Sequence, residues 1–440
     1  MTKSKTTILL LLATIVIITM SAASADSEIK TWNIMAGGQT TDMAIQGMSF
    51  YPGIITVNVG DTIRWEIGGL VHTISFLSGQ VPPPDGSPQS FAPSGGSKYD
   101  GTGFVSSGIL PTGGDYSLKF TKKGIFSYRC LLHPGMQGIV IVQSAGSRYP
   151  FSQKEYNIQA KIDLIKDIDV GKKLVNKVNN MAISSPGPDN TKIWKAFMDI
   201  PLPEMVKVNL EQVERSNVRG KATLNMLNPT DLNVKMDVTG LVPNSKHPAN
   251  IKIGTCNTPG STEFPLGNIV ADSTGRASLT TDINVRPGSG IMNRGWIVTV
   301  DKSSSDTDAI TCGNTVKHDA AYMRFTPKTL TINQGDSVMW TQLNPMEIHT
   351  VSILAAGQIP PELLLPGFII NPVVALPSGI DGYRGTGYYN SGILIPGATY
   401  TLKFKKPGIY KYLCLIHDEL KMIGYIKVKK SEIDNDKKEV

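Results

Sequence analysis

No run of Lys or Arg longer than a few residues occurs in this 440-residue chain, and its 43 basic and 36 acidic residues are spread along its length. A nucleic-acid binder needs a concentrated basic face, so that class is excluded. The formal net charge of +7 reads as solubility, with a mild bias towards acidic partners. Cysteine is scarce as well: Cys130, Cys256, Cys312 and Cys414 are all there are. Four cysteines allow two disulfides in three connectivities. Histidine numbers only six, and no His-x-His pair exists.

What is plentiful is glycine and proline, 43 and 28 residues, breaking up strand-like stretches. That mix at this length predicts about three all-β domains. Lys3 and Lys5 precede an uncharged, Leu- and Ile-rich stretch from Thr6 to Ala25 that ends Ala23-Ser24-Ala25. A basic start, an apolar middle and a small-x-small end make residues 1–25 a signal peptide. The same stretch is long enough to stay as a membrane anchor. Either outcome exports the rest: extracellular, periplasmic, or on the outer face of the cytoplasmic membrane. Loss of the two leader lysines leaves a net charge of about +5.

The chain contains one domain twice. YDGTGFVSSGIL (Tyr99 to Leu110) matches YRGTGYYNSGIL (Tyr383 to Leu394), and YSLKFTKKGIFSYRCLLH (Tyr116 to His133) matches YTLKFKKPGIYKYLCLIH (Tyr400 to His417), at a constant offset of 284 residues. Upstream, VNVGDTIRW at Val57 answers INQGDSVMW at Ile332, and HTISF at His72 answers HTVSI at His349. Ile55, Val57 and Val59 alternate with polar residues before the Gly60-Asp61 turn, which is the period of a half-buried strand. The Pro-rich stretches Gln80 to Ser97 and Gln358 to Ser378 read as long loops.

Between the copies, Ser152-Gln-Lys-Glu155 is a capping box. It opens an amphipathic helix with Tyr156, Ile158, Ile162, Ile165 and Ile168 on its apolar face, expected to stop near Gly171. Ser184 to Asn190 reads as linker. From about Met205 a β-pattern returns, with Leu232, Val234, Met236 and Val238 alternating cleanly. The expected layout is a leader (1–25), a first β-sandwich (31–145), a helical linker (146–204), a middle β-sandwich (205–316), a second copy of the first (317–430) and a charged tail (431–440).

Each copy supplies an isolated His and, about sixty residues on, a Cys, a His and a Met in close succession. These are His72, Cys130, His133 and Met136, then His349, Cys414, His417 and Met422. Two imidazoles, one thiolate and a weak thioether form the trigonal blue-copper set. One Cys, two His and a distant Met make a poor structural zinc site. The matched doubling also disfavours a disulfide between Cys130 and Cys414.

On these residues both copies, roughly 31–143 and 317–429, resemble plastocyanin-type cupredoxins. The loop Cys130-Leu-Leu-His133-Pro-Gly-Met136 is similar to that of amicyanin, and Cys414-Leu-Ile-His417-Asp-Glu-Leu-Lys-Met422 to that of plastocyanin. Aligning MQG with MIG favours Met422 over Leu420 as the axial residue. The resemblance implies Greek-key sandwiches, one type 1 copper per copy, and a second His (His133, His417) whose ring edge is exposed in an apolar patch where redox partners dock. Leu131, Leu132, Pro134, Leu415 and Ile416 fit such a patch, or the core.

Cys256 and Cys312 are left to each other. Their disulfide would close a loop of some 55 residues and contribute on the order of 4 kcal/mol. Through HPANIKIGTC and ITCGN, residues 220–315 resemble chordin-type and superoxide-dismutase-like sandwiches. Asn250 and Lys252 stand where metal-binding members carry His, so His247 is left alone and the domain reads as a spacer or docking module. His318 reads as a surface histidine.

Nitrite reductases and multicopper oxidases are similar in domain type but flank the type 1 Cys with His. Here Arg129 and Leu131 flank Cys130, and Leu413 and Leu415 flank Cys414. The leading expectation is therefore an exported carrier of single electrons without a type 2 or trinuclear copper centre. Copper delivery, or a cell-surface structural role, is the alternative from another class, with a nitrite-reductase- or oxidase-like enzyme behind it.

Overall fold

The computed structural model describes residues 29–133, 135–181, 183–202, 205–228, 230–285, 290–379 and 382–430. The leader and the charged tail lie outside them. Among the described residues no helix is long and apolar enough to cross a membrane.

The chain is nearly all β, as expected. In the first sandwich, one six-stranded sheet runs in the order Ala320–Tyr322, Ile45–Tyr51, Thr31–Gln39, Thr62–Ile67, Asp115–Phe120 and Lys98–Tyr99. The facing sheet runs Ile54–Asn58, Gln137–Gln143, Gly124–Arg129, Ser75–Phe76 and Val105–Ser106. Alternating apolar residues put Trp65, Phe76, Phe120 and Tyr128 between the sheets, fully buried. The second copy repeats the plan around Trp340, Phe404 and Tyr412.

The linker is helical only in part. The Ser152 capping box forms, and the helix Gln153–Asn179 runs past Gly171 instead of stopping there. A Cβ at Gly171 would lie 2.5 Å from Ile45 Cγ2 and 3.1 Å from the Ala320 side chain, so this glycine admits a close approach and does not end the helix. The buried face is only partly the expected one: Tyr156 is buried and Ile168 half-buried, but the three isoleucines between them are not. Tyr156, Ala160, Asp163, Asp167 and Gly171 face inward, while Ile158, Ile162 and Ile165 are exposed. Asp167 sets this rotation, since its buried carboxylate accepts from Ser49 Oγ at 2.7 Å, Tyr51 Oη at 2.6 Å and His318 Nδ1 at 2.5 Å. His318 is thus a tether between helix and sandwich, not a free surface residue.

Beyond the helix, Ser184–Pro186 and Lys192–Met198 are strands, where a linker was expected. Lys192–Met198 pairs parallel with Ser337–Gln342, as Thr31–Gln39 pairs parallel with Thr62–Ile67. The second sandwich therefore takes a strand from before the middle sheet. An aspartate at each Gly-Asp turn fastens that strand. Asp61 accepts from Lys30 N, Trp32 Nε1 and Asn58 N at 2.9–3.0 Å. Asp336 accepts from Lys192 N, Trp194 Nε1 and Asn333 N at 2.8–3.0 Å.

The middle segment forms an eight-stranded antiparallel sheet from Met205 to Asn314 with its own core, including Leu232, Val234, Met236 and Val238. Cys256 and Cys312 are disulfide-bonded. Asp336→Ala would strip three donors of a buried acceptor, so it should cost roughly 3 kcal/mol and speed amide exchange across Lys192–Met198. An unchanged unfolding transition would show that this strand is not held by the turn.

Candidate metal centres

Each copy draws one candidate ligand from early in the sandwich and three from a single late loop. His72 follows the Thr62–Ile67 strand and exchanges main-chain bonds with Leu110 at 3.1 and 2.9 Å. Cys130 directly follows the Gly124–Arg129 strand, and Met136 directly precedes Gln137–Gln143. Cys130 N donates to Met136 O at 3.1 Å, which folds the loop back and sets His133 inside it. The second copy repeats this with His349 against Leu394 and Cys414 N donating to Met422 O at 3.1 Å. A threonine after each first histidine locks the cysteine turn: Thr73 Oγ1 accepts from Leu131 N at 2.7 Å, and Thr350 Oγ1 from Leu415 N at 2.8 Å. Their amides donate to Cys130 Sγ and Cys414 Sγ, both at 3.3 Å.

The outcome is two convergent donor sets. His133 Nδ1 lies 2.9 Å from His72 Nδ1 and 3.3 Å from Cys130 Sγ. His417 Nδ1 lies 3.2 Å from His349 Nδ1, and Cys414 Sγ lies 3.5 and 3.7 Å from these two nitrogens. Among the described residues these are the two His/Cys/carboxylate clusters spaced to hold an ion. Met136 and Met422 are fully buried in the same cores as their cysteines. Met422, whose carbonyl meets Cys414 N, is the counterpart of Met136; Leu420 packs instead with the core of the first copy.

The electrostatics suit a cation. Burial drives His72 and His349 down to about 3, and drives His133 and His417 well below the usual histidine range, helped by the neighbouring rings. All four imidazoles are thus neutral near pH 7, with a lone pair to give. Two such nitrogens at 2.9 Å either share one proton or share a metal. Burial pushes the Cys130 thiol up and the Cys414 thiol up to about 11. A bound cation would displace that proton and be held by thiolate. Two imidazoles, a thiolate and a thioether suit both copper oxidation states. The donor set fits copper.

The expected exposure of His133 and His417 is absent. They are only 3% and 5% exposed, because the two copies pack their ligand loops together. Leu131, Leu132 and Ile416 are half-buried, Leu415 is buried, and Pro134 lies outside the described residues. Asn293 of the middle segment also closes on the first loop, donating from its amide to Gly135 O at 3.0 Å. Between the loops lies Glu347, 3% exposed, with Oε1 3.3 Å from His133 Nε2 and Oε2 3.7 Å from His417 Nε2. Burial, and then the charge of Asp199, raise its carboxyl well above the usual range. Asp199 itself is pushed up to about 7 by burial and sits 3.5 Å from His349 Nε2.

Neither acid was found from the sequence, although the repeat carried a sign of each. Glu347 stands two residues before His349, where the first copy has the buried Leu70 before His72. Asp199 stands where the first copy has Gly37, once Trp194 is matched to Trp32. Both adopt positive φ, +62° and +67°, and a Cβ at Gly37 would strike the His72 ring.

In the middle segment, Asn250, Lys252 and His247 are engaged in hydrogen bonds and an ion pair. Asp301 accepts from Lys252 Nζ and Asn250 Nδ2, both at 2.8 Å, and His247 is bonded to Ser245 and to main-chain carbonyls.

The family model for copper binding proteins of the plastocyanin/azurin family matches residues 36–143 and 310–429. The chain is 32% identical over 112 residues to the chloroplastic plastocyanin of Tetradesmus obliquus, a match covering 25% of this chain. It spans 61% of the length of that curated relative. Among solved structures, the copper(I) form of an amicyanin variant is 21% identical, covering 26% of this chain and 82% of its own, with a TM-score of 0.18. A purple cupredoxin from Nitrosopumilus maritimus is 21% identical, covering 26% and 99%, with a TM-score of 0.18.

Buried thiols held in the protonated form react slowly. In metal-free native protein at pH 8, Cys130 and Cys414 should resist a disulfide-forming reagent and both titrate on unfolding. Rapid labelling of either before unfolding would contradict this placement.

Proposed function

Because the chain belongs to the plastocyanin/azurin family of copper-binding proteins, we propose that each of its two cupredoxin copies holds one type 1 copper ion and that the protein passes single electrons between redox partners outside the cytoplasm. The observation that carries this reading is the doubled donor set: His72, Cys130 and His133, then His349, Cys414 and His417, each with ligand atoms within 4.8 Å of one another. Met136 and Met422, buried in the same cores as the cysteines, would supply the thioethers. Copper bound there would supply a one-electron couple, and the sandwich, by fixing the donor positions, would leave its ligands little to rearrange.

The surrounding groups support a carrier over a copper-delivery protein. Delivery needs ligands that open to a recipient, whereas all six His and Cys ligands here are buried and tied by main-chain bonds. Export is supported by the leader pattern of residues 1–25 and by the disulfide between Cys256 and Cys312, since such bonds persist in oxidising compartments. We assign the chordin- or dismutase-like middle segment to spacing and docking, in keeping with the Lys252–Asp301 pair. With both ligand rings covered, partners dock on another face of the sandwiches than the one the resemblance implies.

Copper analysis with electron paramagnetic resonance on the loaded protein should give two coppers per chain, both with the narrow hyperfine splitting of type 1 sites. Cys130→Ser and Cys414→Ser should each remove about half of the blue absorbance. A colourless loaded protein, or full colour after either substitution, would refute the assignment.

A further inference from the structure

The resting point of four rings decides what the two centres do to one another. Each ligand histidine turns Nδ1 to its own cysteine cluster, leaving Nε2 to face outward from it. His72 Nε2 is buried with no hydrogen-bond partner, closed off by Gly37. His349 Nε2 faces Asp199. The other two point at one shared group: His133 Nε2 and His417 Nε2 address opposite oxygens of Glu347, at 3.3 and 3.7 Å.

That carboxyl group is presented across the contact between copies. It belongs to the loop before His349, whose Met346 is buried in the core of the first copy. Gln342 Nε2 donates to the Glu347 carbonyl and holds the loop. Glu347 Oε1 makes no aligned hydrogen bond and is free to meet the His133 ring. One acid thus serves both centres, and the matching position in the first copy is Leu70.

We propose that Glu347 bridges the two copper centres, its two carboxyl oxygens addressing Nε2 of His133 and of His417, and that the centres exchange electrons within one chain along this ring–carboxyl–ring path. This rests on copper occupying both sites. One electron leaves Cu(I) at one centre and reduces Cu(II) at the other; no bond breaks, no proton transfers and Glu347 is unchanged. The electron enters from one redox partner and leaves to another. The molecule is then a two-centre relay, and its sites do not serve partners independently.

The test injects less than one electron per chain into the fully oxidised, copper-loaded full chain by pulse radiolysis and follows the blue bands. The parent should show a first-order phase independent of protein concentration, absent in Cys130→Ser and Cys414→Ser. If the two centres prove equal in potential, the series is run on Met422→Leu, which separates them through the axial ligand. Glu347→Leu should retain two coppers and the blue colour yet slow this phase by about tenfold or more, the usual scale for loss of an outer-shell partner. Glu347→Gln keeps the shape but only one acceptor oxygen, and it should also be slower; it decides the matter if the Leu variant fails to load. An intramolecular phase missing from the parent, or unchanged in the Glu347 variants, overturns the bridge while leaving the copper sites standing. A copper count below two per chain removes the reading beneath it, a separate failure seen before any kinetic run.

Discussion

Two neutral imidazole nitrogens and a sulfur brought within bonding reach of one ion, in a core that excludes water, are the constraint on which both copies are built. His72 and His133 present Nδ1 atoms 2.9 Å apart, and His349 and His417 present theirs 3.2 Å apart. Without an ion, such donors have only a shared proton to gain from one another. They are held in place by strand pairing, by the threonine that ties each cysteine turn, and by the Cys-to-Met main-chain bond that closes each ligand loop. Rigidity of this kind is what an electron-exchanging metal needs, since a site that does not move has little to reorganise. It also explains the investment in large aromatic cores around Trp65 and Trp340.

Doubling a domain need not yield two equal parts. The copies share ligands, turns and the aspartates that fasten their first strands, but they differ where they meet. Gly37 lets backbone lie against His72, whereas Asp199 in the same backbone conformation sets a carboxylate beside His349. Leu70 packs into a core, whereas Glu347 at the matching position reaches across to the other copy. Burying charged or ionisable groups is costly unless they find partners, and here the partners are the rings of His133, His349 and His417. The faces that a lone cupredoxin would offer to solvent are thereby turned towards each other.

The candidate ligands Cys130, His133, Cys414 and His417 were legible because they lie in a repeat with no slippage from Tyr99 to His133, and His72 and His349 because each opens a matching His-Thr segment. Strand alternation at Leu232 to Val238 was legible for a similar local reason. What stayed hidden was set by tertiary contact. The isoleucines at 158, 162 and 165 matched the helical period as well as the true buried face did, and Asp167 with its three donors chose between them. Gly171 looked like a stop because glycine usually is one, yet close approach to Ile45 explains it. The strand Lys192–Met198 was missed because its partner lies beyond the whole middle segment. The burial of His133 and His417 could not be read from either copy alone.

Anomalous diffraction at the copper edge from crystals of the loaded protein tests the central claim most directly. The account predicts two peaks per chain, one among His72, Cys130 and His133 and the other among His349, Cys414 and His417, with Glu347 between them and bound to neither. A single peak, or density centred on the Glu347 carboxylate, would contradict it.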